Sequence, residues 1–361
     1  MDELRTNLHT EKIEQWLREE DSERLQHLWN AANETRKKYV GDEVHLRGLI
    51  EISSYCIRHC AYCGLRSDHR ELQRYRMSEA EIMGCVKEAC AYGYGTVVLQ
   101  SGEDYGIKAK WLARVVRQIK KQTPLAVTLS LGERPDEDLI AWREAGANRY
   151  LLRFETSNRA LYDEIHPPTN RQELSDRIAM LRRLKQLGYE AGSGVMVGIP
   201  GQDYTGLAKD IALFRELDLD MIGVGPFIAH PDTPLGQQAR PVNGEQQVPN
   251  TELMTYKVVA LTRLVCPEAN IPSTTALATL NLAQGRELGL LRGANVIMPN
   301  LTPVQYRALY EIYPAKACIQ ESAGDCHACV LQRIRTIHRL PGKGPGGRQR
   351  QSQLNGCTAP E

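Results

Sequence analysis

From residue 44 onward, short runs of apolar and β-branched residues alternate with longer stretches whose apolar residues recur at helical spacing. The strand-like runs are 44–52, 96–100, 125–129, 149–154, 190–197, 221–224, 270–273 and 295–298. Between them the helical pattern falls near 78–93, 107–122, 136–146, 171–187, 203–217, 250–265 and 284–292. Strands and helices in that alternation predict an α/β fold, a (β/α)8 barrel of the TIM type. Ahead of it, residues 8–39 are charged, with Ile13, Trp16, Leu17, Leu25, Leu28 and Trp29 at helical spacing, and read as one or two helices packed outside the barrel. No repeat of fixed period and no linker divides the barrel region. The pattern therefore gives three parts: an N-terminal helical extension (1–43), the barrel (44–300) and a C-terminal extension (301–361). The stretch 339–350 is basic and rich in glycine and proline, and reads as a solvated, mobile tail.

A barrel of this kind carries its chemistry at the C-terminal ends of its strands. Polar residues gather there: Gln100 to Asp104 after the second strand, Thr128, Ser130 and Glu133 at the third, Glu155 and Thr156 at the fourth. Met196 and the turn Gly198-Ile199-Pro200-Gly201 end the fifth, His230 follows the sixth, and Thr274 and Thr275 follow the seventh. Polar groups converging on one rim argue for an active site. Glu155 would accept hydrogen bonds from a ribose or an ammonium, or else form a surface ion pair. Arg177 would fork onto a carboxylate, or else lie on a solvated helix face. The small residues around Met196 leave room for an adenine against backbone, although the apolar run alone reads as core.

Charge and cysteine content narrow the picture. A net charge of +1 gives no electrostatic case for nucleic acid or an anionic membrane. No apolar run approaches the length of a membrane span and the first residues lack signal-peptide character, so the expected location is the cytoplasm. Ten cysteines in such a protein point to thiols and metal ligation rather than disulfides. Cys85, Cys90 and Cys266 sit among apolar or helical residues and read as small core residues; Cys357 has no evident partner.

Directly after the first strand stands Ser54-Tyr55-Cys56-Ile57-Arg58-His59-Cys60-Ala61-Tyr62-Cys63-Gly64-Leu65-Arg66, with cysteines at C-x3-C-x2-C spacing. Three soft thiolates on one polar loop suit an iron–sulfur cluster, and a cubane held by three cysteines leaves one iron open to a small molecule. Zinc is the rival, with His59 as a strained fourth ligand. A second trio, Cys318, Cys326 and Cys329, sits on what reads as a polar loop and is suited to a second iron–sulfur cluster, to zinc with His327, or to nothing.

The first triad, with Tyr62 before its last cysteine, resembles the radical S-adenosylmethionine (SAM) superfamily. That resemblance implies a 4Fe-4S cluster on Cys56, Cys60 and Cys63, SAM chelated at the open iron, and one-electron cleavage of SAM to a 5′-deoxyadenosyl radical. Ser101-Gly102-Glu103 resembles the family's Gly-Gly-Glu motif, whose backbone meets the methionine amino group. Longer strings are similar to the HydE family, the radical SAM maturases of FeFe-hydrogenase: VLQSGED (98–104), VTLSLGE (127–133), YLLRFET (150–156) and IGVGPFIAHPDTP (222–234). IPSTTA (271–276) and RGANVIMPN (292–300) extend the likeness, which runs in order over roughly 40–345.

The resemblance implies a complete barrel around a closed cavity, with Tyr62, Gln100, Ser101, Gly102, Glu103, Glu155, Arg177 and Met196 as cofactor-binding residues. It also implies a substrate: an iron–cysteine complex carrying CO and cyanide, supplied by a HydG-like enzyme, its product passing to a HydF-like scaffold, with an electron donor as a further partner. Thr128, Arg153, Thr274, Thr275 and Tyr306 are the residues expected to hold that anionic complex. In the family the C-terminal cysteine trio occurs only in some members and is not required for the radical step. Two other readings stay open. One is a radical SAM enzyme similar to methylornithine synthase or biotin synthase, acting on a small organic substrate. The other is an iron–sulfur electron carrier or zinc module without catalysis.

Overall fold

The computed structural model describes residues 8–168, 175–238 and 245–349. Two helices lead the chain, α1 (Thr10–Leu17) and α2 (Ser22–Val40). The alternating part follows as β1 (Glu43–Ser53), α3 (Glu79–Ala91), β2 (Thr96–Ser101), α4 (Ala109–Gln122), β3 (Ala126–Ser130), α5 (Asp136–Glu144) and β4 (Arg149–Leu151). It continues as α6 (Arg159–Ile165), α7 (Arg177–Gln186), β5 (Glu190–Val197), α8 (Tyr204–Glu216), β6 (Met221–Pro226) and the short α9 (Pro234–Gln237). Then come α10 (Glu252–Val265), α11 (Thr275–Leu280), α12 (Gly285–Leu291), β7 (Val296–Ile297), α13 (Val304–Arg307), α14 (Ala323–Thr336) and β8 (Leu340–Pro341).

The parallel sheet runs β6-β5-β4-β3-β2-β1-β7: β1 to β6 each lie beside their chain neighbours, as successive crossover units give, and β7 pairs with β1. Helices cover the outside, so the strands are buried on both faces, which explains their continuous apolar runs. Both helices of the N-terminal extension lie outside the barrel, α1 against α8 and α2 against α10. Ser78 starts α3 with a reciprocal capping box to Glu81, and Asp21 caps α2. Of the helix expected at 171–187, residues 171–174 lie outside the described residues, and α7 begins at Arg177.

Three expectations need correction. The fourth strand was expected over 149–154 but ends at Leu151, and the seventh, at 270–273, forms no ladder. Asn270 bridges Met221 and Pro272 bridges Val296, so this segment still spans the gap between β6 and β7 and closes the barrel. Proline lacks the N–H a regular ladder needs. The backbone still bonds on both sides, Ile222 N to Asn270 O (2.9 Å) and Ser273 N to Val296 O (2.9 Å). Side-chain amides add to this, Ile271 N donating to Asn295 Oδ1 (2.9 Å) and Asn295 Nδ2 to Asn270 Oδ1 (2.9 Å). Cys90 is exposed, on the opposite side of α3 from buried Cys85, because five residues turn a helix by more than a third of a circle.

The tail also departs from its expected state. Through residue 349 it is docked, not solvated. β8 pairs with the start of β1, and the chain then runs across the N-terminal mouth of the barrel. There its carbonyls receive the interior cations: Pro345 O accepts from Arg149 Nη2 (3.1 Å) and Thr96 Oγ1 (2.9 Å), and Gly346 O accepts from Arg47 Nη2 (3.1 Å) and Asn270 Nδ2 (3.1 Å). Burial, with Arg149 nearby, pulls the Arg47 guanidinium down to about 9, so these carbonyls matter. A Cβ on Gly95 would stand 1.6 Å from Gly344 O, which is why the tail can lie so close. Arg348 closes the arrangement on Asp218 (2.6 Å), Asp220 (3.5 Å) and Glu268 (3.3 Å).

Asp218 tests this docking. Burial opposes its charge, but hydrogen bonds from Lys185 and Arg348 hold it at about 2, below its ordinary 3.8. A depressed carboxylate contributes stability that is complete above its unfolded pKa and lost as pH falls toward the folded one. Arg348→Ala should therefore lower the melting temperature at neutral pH, by about 1 kcal/mol or roughly 2 °C for a partly exposed pair. Circular dichroism melts between pH 7 and pH 2.5 should show the gap narrowing with acid. A gap independent of pH would mean that the tail is not held by this ion pair.

Candidate active site

The loop leaving β1 is held in shape by one guanidinium. Arg74 donates to the carbonyls of Ser54, Leu65, Arg66 and His69, so the loop closes on itself. Ile57 N to Glu103 O (3.1 Å) and Ala61 N to Ile165 O (2.9 Å) dock it on the C-terminal rim. Cys56, Cys60 and Cys63 then all face one internal cavity of about 340 Å³. Gly102 permits the contact: a Cβ there would lie 2.4 Å from Tyr55 O and 2.7 Å from Cys56 Cβ.

The thiols suit a cluster. Cys56 Sγ accepts from the backbone N–H of Arg58 (3.5 Å) and of Glu103 (3.4 Å). Burial pushes all three thiols up, Cys63 to about 12, so bare thiolates are costly and a bound cation would stabilise them. His59 points away, with Nδ1 at 2.8 Å from Asp68 on the exposed side, which removes the zinc site built on it. Among the described residues no three His, Cys, Asp or Glu side chains close on a single-ion position. Three thiols facing a cavity fit a 4Fe-4S cluster with one open iron.

Next to them lies a ring of four charges. Arg58 meets Glu103 at 2.5 Å and Glu133 at 2.9 Å; Arg177 meets Glu103 at 3.1 Å and Glu133 at 2.9 Å. Burial pushes Glu103 up against the pull of Arg177 and Arg58. Arg177 is buried at the first turn of α7, not on a solvated helix face, and also donates to Arg153 O at 2.8 Å. The sequence pattern places Glu133 on the rim without a role and assigns none to Arg58. The available sign was a carboxylate just past the ends of two successive strands, with an arginine between the first two cysteines. A smaller cleft of about 200 Å³ adjoins the site on the α6 side, lined by Arg159, Tyr162 and Arg177.

Tyr62 is fixed by His166. Burial holds His166 well below its ordinary value, so the ring is neutral. Its Nδ1 lies 3.2 Å from Tyr162 O and must carry the proton, which leaves Nε2 to accept from the Tyr62 hydroxyl at 2.9 Å.

At the end of β4, Arg153 and Glu155 both line the cavity, while Phe154 points outward to Phe214. The alternation expected of a strand survives beyond the strand itself. Glu155 sits at φ 62° and bridges Val195, a left-handed setting that costs a non-glycine residue about 1 kcal/mol or more and turns its carboxylate inward. Arg153 Nη2 donates to Glu155 Oε2 (3.0 Å) and Val195 O (2.6 Å), so the two side chains form one unit.

All eight residues expected to bind the cofactor line this cavity: Tyr62, Gln100, Ser101, Gly102, Glu103, Glu155, Arg177 and Met196. Of those expected to bind substrate, Arg153, Thr274 and Thr275 do, and two do not. Thr128 is buried on β3 two residues below cavity-lining Ser130, its hydroxyl without a hydrogen-bond partner among the described residues. Tyr306 stacks on Tyr75 (4.4 Å between ring centres) and donates to Glu81. After α13 the chain folds back, and Tyr310 and Tyr313 reach the cavity instead. The second trio lies elsewhere and is not on one loop: Cys326 and Cys329 are on α14 and Cys318 is in the turn before it. A hydrogen bond with Cys326 draws Cys318 down to about 6, and Cys329 is exposed beside Arg333.

Comparison with known proteins agrees with this geometry. Residues 50–214 match the radical SAM superfamily. A Thermotoga maritima protein named FeFe-hydrogenase maturase subunit HydE is 47% identical over 323 residues, covering 90% of this chain and 89% of that one. The 3-methylornithine synthase of Methanosarcina acetivorans is 29% identical over 77% of this chain and 75% of its own. Among solved structures, methylornithine synthase superposes over 98% of both chains with TM-score 0.79 and 25% identity. HydG, at 17% identity, shares the fold with TM-score 0.75 over 98% of this chain and 76% of its own. A cysteine triad facing one cavity, the residues expected to bind the cofactor lining that cavity, and this similarity over nine-tenths of the chain lead to one assignment. The chain belongs to the HydE family of radical SAM enzymes, whose cofactors are a 4Fe-4S cluster and SAM.

Proposed function

We propose that this enzyme matures FeFe-hydrogenase by acting on an iron–cysteine complex that carries CO and cyanide. A HydG-like enzyme supplies the complex, a HydF-like scaffold receives the product, and a separate donor supplies electrons. The observation that carries the reading is that one cavity is lined both by the triad with its cofactor residues and by Arg153, Thr274 and Thr275. When bound, the cluster supplies the electron that cleaves SAM to a 5′-deoxyadenosyl radical. The chain's own residues decide what that radical meets. Glu155 and Arg177 hold SAM, Met196 lines its adenine side, and Tyr62 is locked by His166. Arg153 and the two threonines hold an anionic substrate within reach. A primary radical attacks what is nearest, so fixed placement gives selectivity.

Anaerobic turnover with the synthetic iron–cysteine complex, SAM and a reductant is the direct test. Loss of the complex should match 5′-deoxyadenosine formed. SAM cleavage with the complex untouched, or rearrangement of an organic amino acid, would show that the substrate is of another class.

Replacing Cys56, Cys60 or Cys63 singly by Ala should abolish 5′-deoxyadenosine and the iron bound at this site, since a cubane needs all three thiolates; retained cleavage in all three variants would sink the assignment. Cys318, Cys326 and Cys329 should be dispensable for cleavage, and their replacement should remove only metal bound at a second site. Iron analysis and chromatography of the nucleoside product read both outcomes.

Glu155→Gln should weaken SAM binding by about tenfold, the loss of one charge-assisted hydrogen bond. Arg153→Leu should still allow SAM cleavage but uncouple it from loss of the iron complex. Measuring the two products together in each variant separates these roles. Full coupling in Arg153→Leu would remove Arg153 from the substrate.

A further inference from the structure

The cavity wall holds one more ion pair. Glu51, on β1 just below the cysteine loop, and Lys316, from the C-terminal extension, both line the cavity and meet through Glu51 Oε1 and Lys316 Nζ. Both are almost wholly buried, with Glu51 at 0% and the Lys316 side chain at 4% exposure. Taking two charges out of water is expensive, and an apolar pair would pack there at less cost. Docking of the extension does not rest on this pair alone: β8 pairs with the start of β1, and Arg339 donates to Leu290 O (3.1 Å), Ala294 O (2.9 Å) and Glu43 O (3.0 Å).

The two partners are unequally satisfied. Glu51 also accepts from Asn300 Nδ2 (3.1 Å) and Thr302 Oγ1 (3.5 Å). Lys316 has three N–H donors, yet among the described residues its one hydrogen bond is to Glu51, with the Tyr310 ring 5.2 Å away. A buried ammonium with donors left over in a cavity is poised for an anion. Of the other cavity cations, Arg58 and Arg177 meet Glu103 and Glu133. Arg153 meets Glu155 and Val195 O, and its Nη1 has no hydrogen bond among the described residues.

We propose that Lys316, aimed by Glu51, binds a second anionic group of the substrate, so that the cavity selects molecules with two separated anionic groups. The inference rests on the maturase reading and deepens it. An arginine fork suits a carboxylate, and a point-like ammonium suits a small anion such as a metal-bound cyanide. A substrate with a single carboxylate would leave one of the two cations unfilled.

Two variants and two probes test this. Lys316→Met, which keeps the length of the side chain, should raise KM for the iron complex about tenfold or more while KM for SAM stays within about twofold. Glu51→Gln removes the competing carboxylate and should leave KM for the complex equal or lower. A purely structural pair would instead make the two variants fail alike, and that result, or an unchanged KM in Lys316→Met, overturns the proposal. The second probe is succinate against acetate at equal ionic strength, followed by thermal shift. Succinate should stabilise the parent more than acetate does, and Lys316→Met should erase the difference. If the parent does not consume the iron complex, the maturase reading falls. The two-cation site then stands if succinate discriminates parent from variant, and falls if the two respond alike.

Discussion

The ring of Arg58, Glu103, Arg177 and Glu133 is the contact on which the site depends. Its members come from the cysteine loop, the ends of β2 and β3, and the start of α7, so four separate segments are locked in one set of charge-assisted bonds. Buried charges tolerate no loose partner: removing one arginine would leave a carboxylate uncompensated in a poorly solvated place. The loop that carries the cysteines is therefore placed by the barrel, although its sequence lies outside any strand. Arg74 then shapes the loop from within.

The same requirement organises the rest of the interior. Cations sit along the barrel from floor to rim, and each level answers them differently. At the floor Arg47 and Arg149 are met by carbonyls of the tail, at the rim Arg58 and Arg177 by carboxylates, and under α13 Arg307 by carbonyls of the extension. In between, Arg153 and Lys316 line the cavity, and among the described residues Arg153 Nη1 has no hydrogen bond and Lys316 bonds to Glu51 alone. Where the interior charge is incompletely answered is where a ligand belongs. The left-handed Glu155 beside Arg153 fits that account, since backbone strain persists only where surrounding contacts enforce it.

Much of this was open to the sequence because it is local. The alternation of short apolar runs with helical ones depends on what each segment buries, so the barrel follows from pattern alone. The triad spacing declares its chemistry within eight residues, and the eight residues expected to bind the cofactor all line the cavity. Rim residues could be inferred because a parallel barrel brings all strand ends to one face.

What only the tertiary structure decided are pairings across long stretches of chain and the directions of side chains outside strands. Asn270 to Ser273 looks like a strand, but Pro272 has no N–H to give, and the distant Asn295 side chain joins the backbone in bonding it. The glycine-rich tail looks solvated because the partners that dock it, among them buried arginines of β1 and β4, stand far away in sequence. Tyr306 and Tyr310 share one short stretch, and the fold after α13 turns the first outward and the second into the cavity. Lys316 reads as an ordinary surface lysine until Glu51, 265 positions earlier, is placed against it. Periodicity records whether a position is buried. It does not record which distant charge will be waiting there, because that energy exists only once the chain has closed.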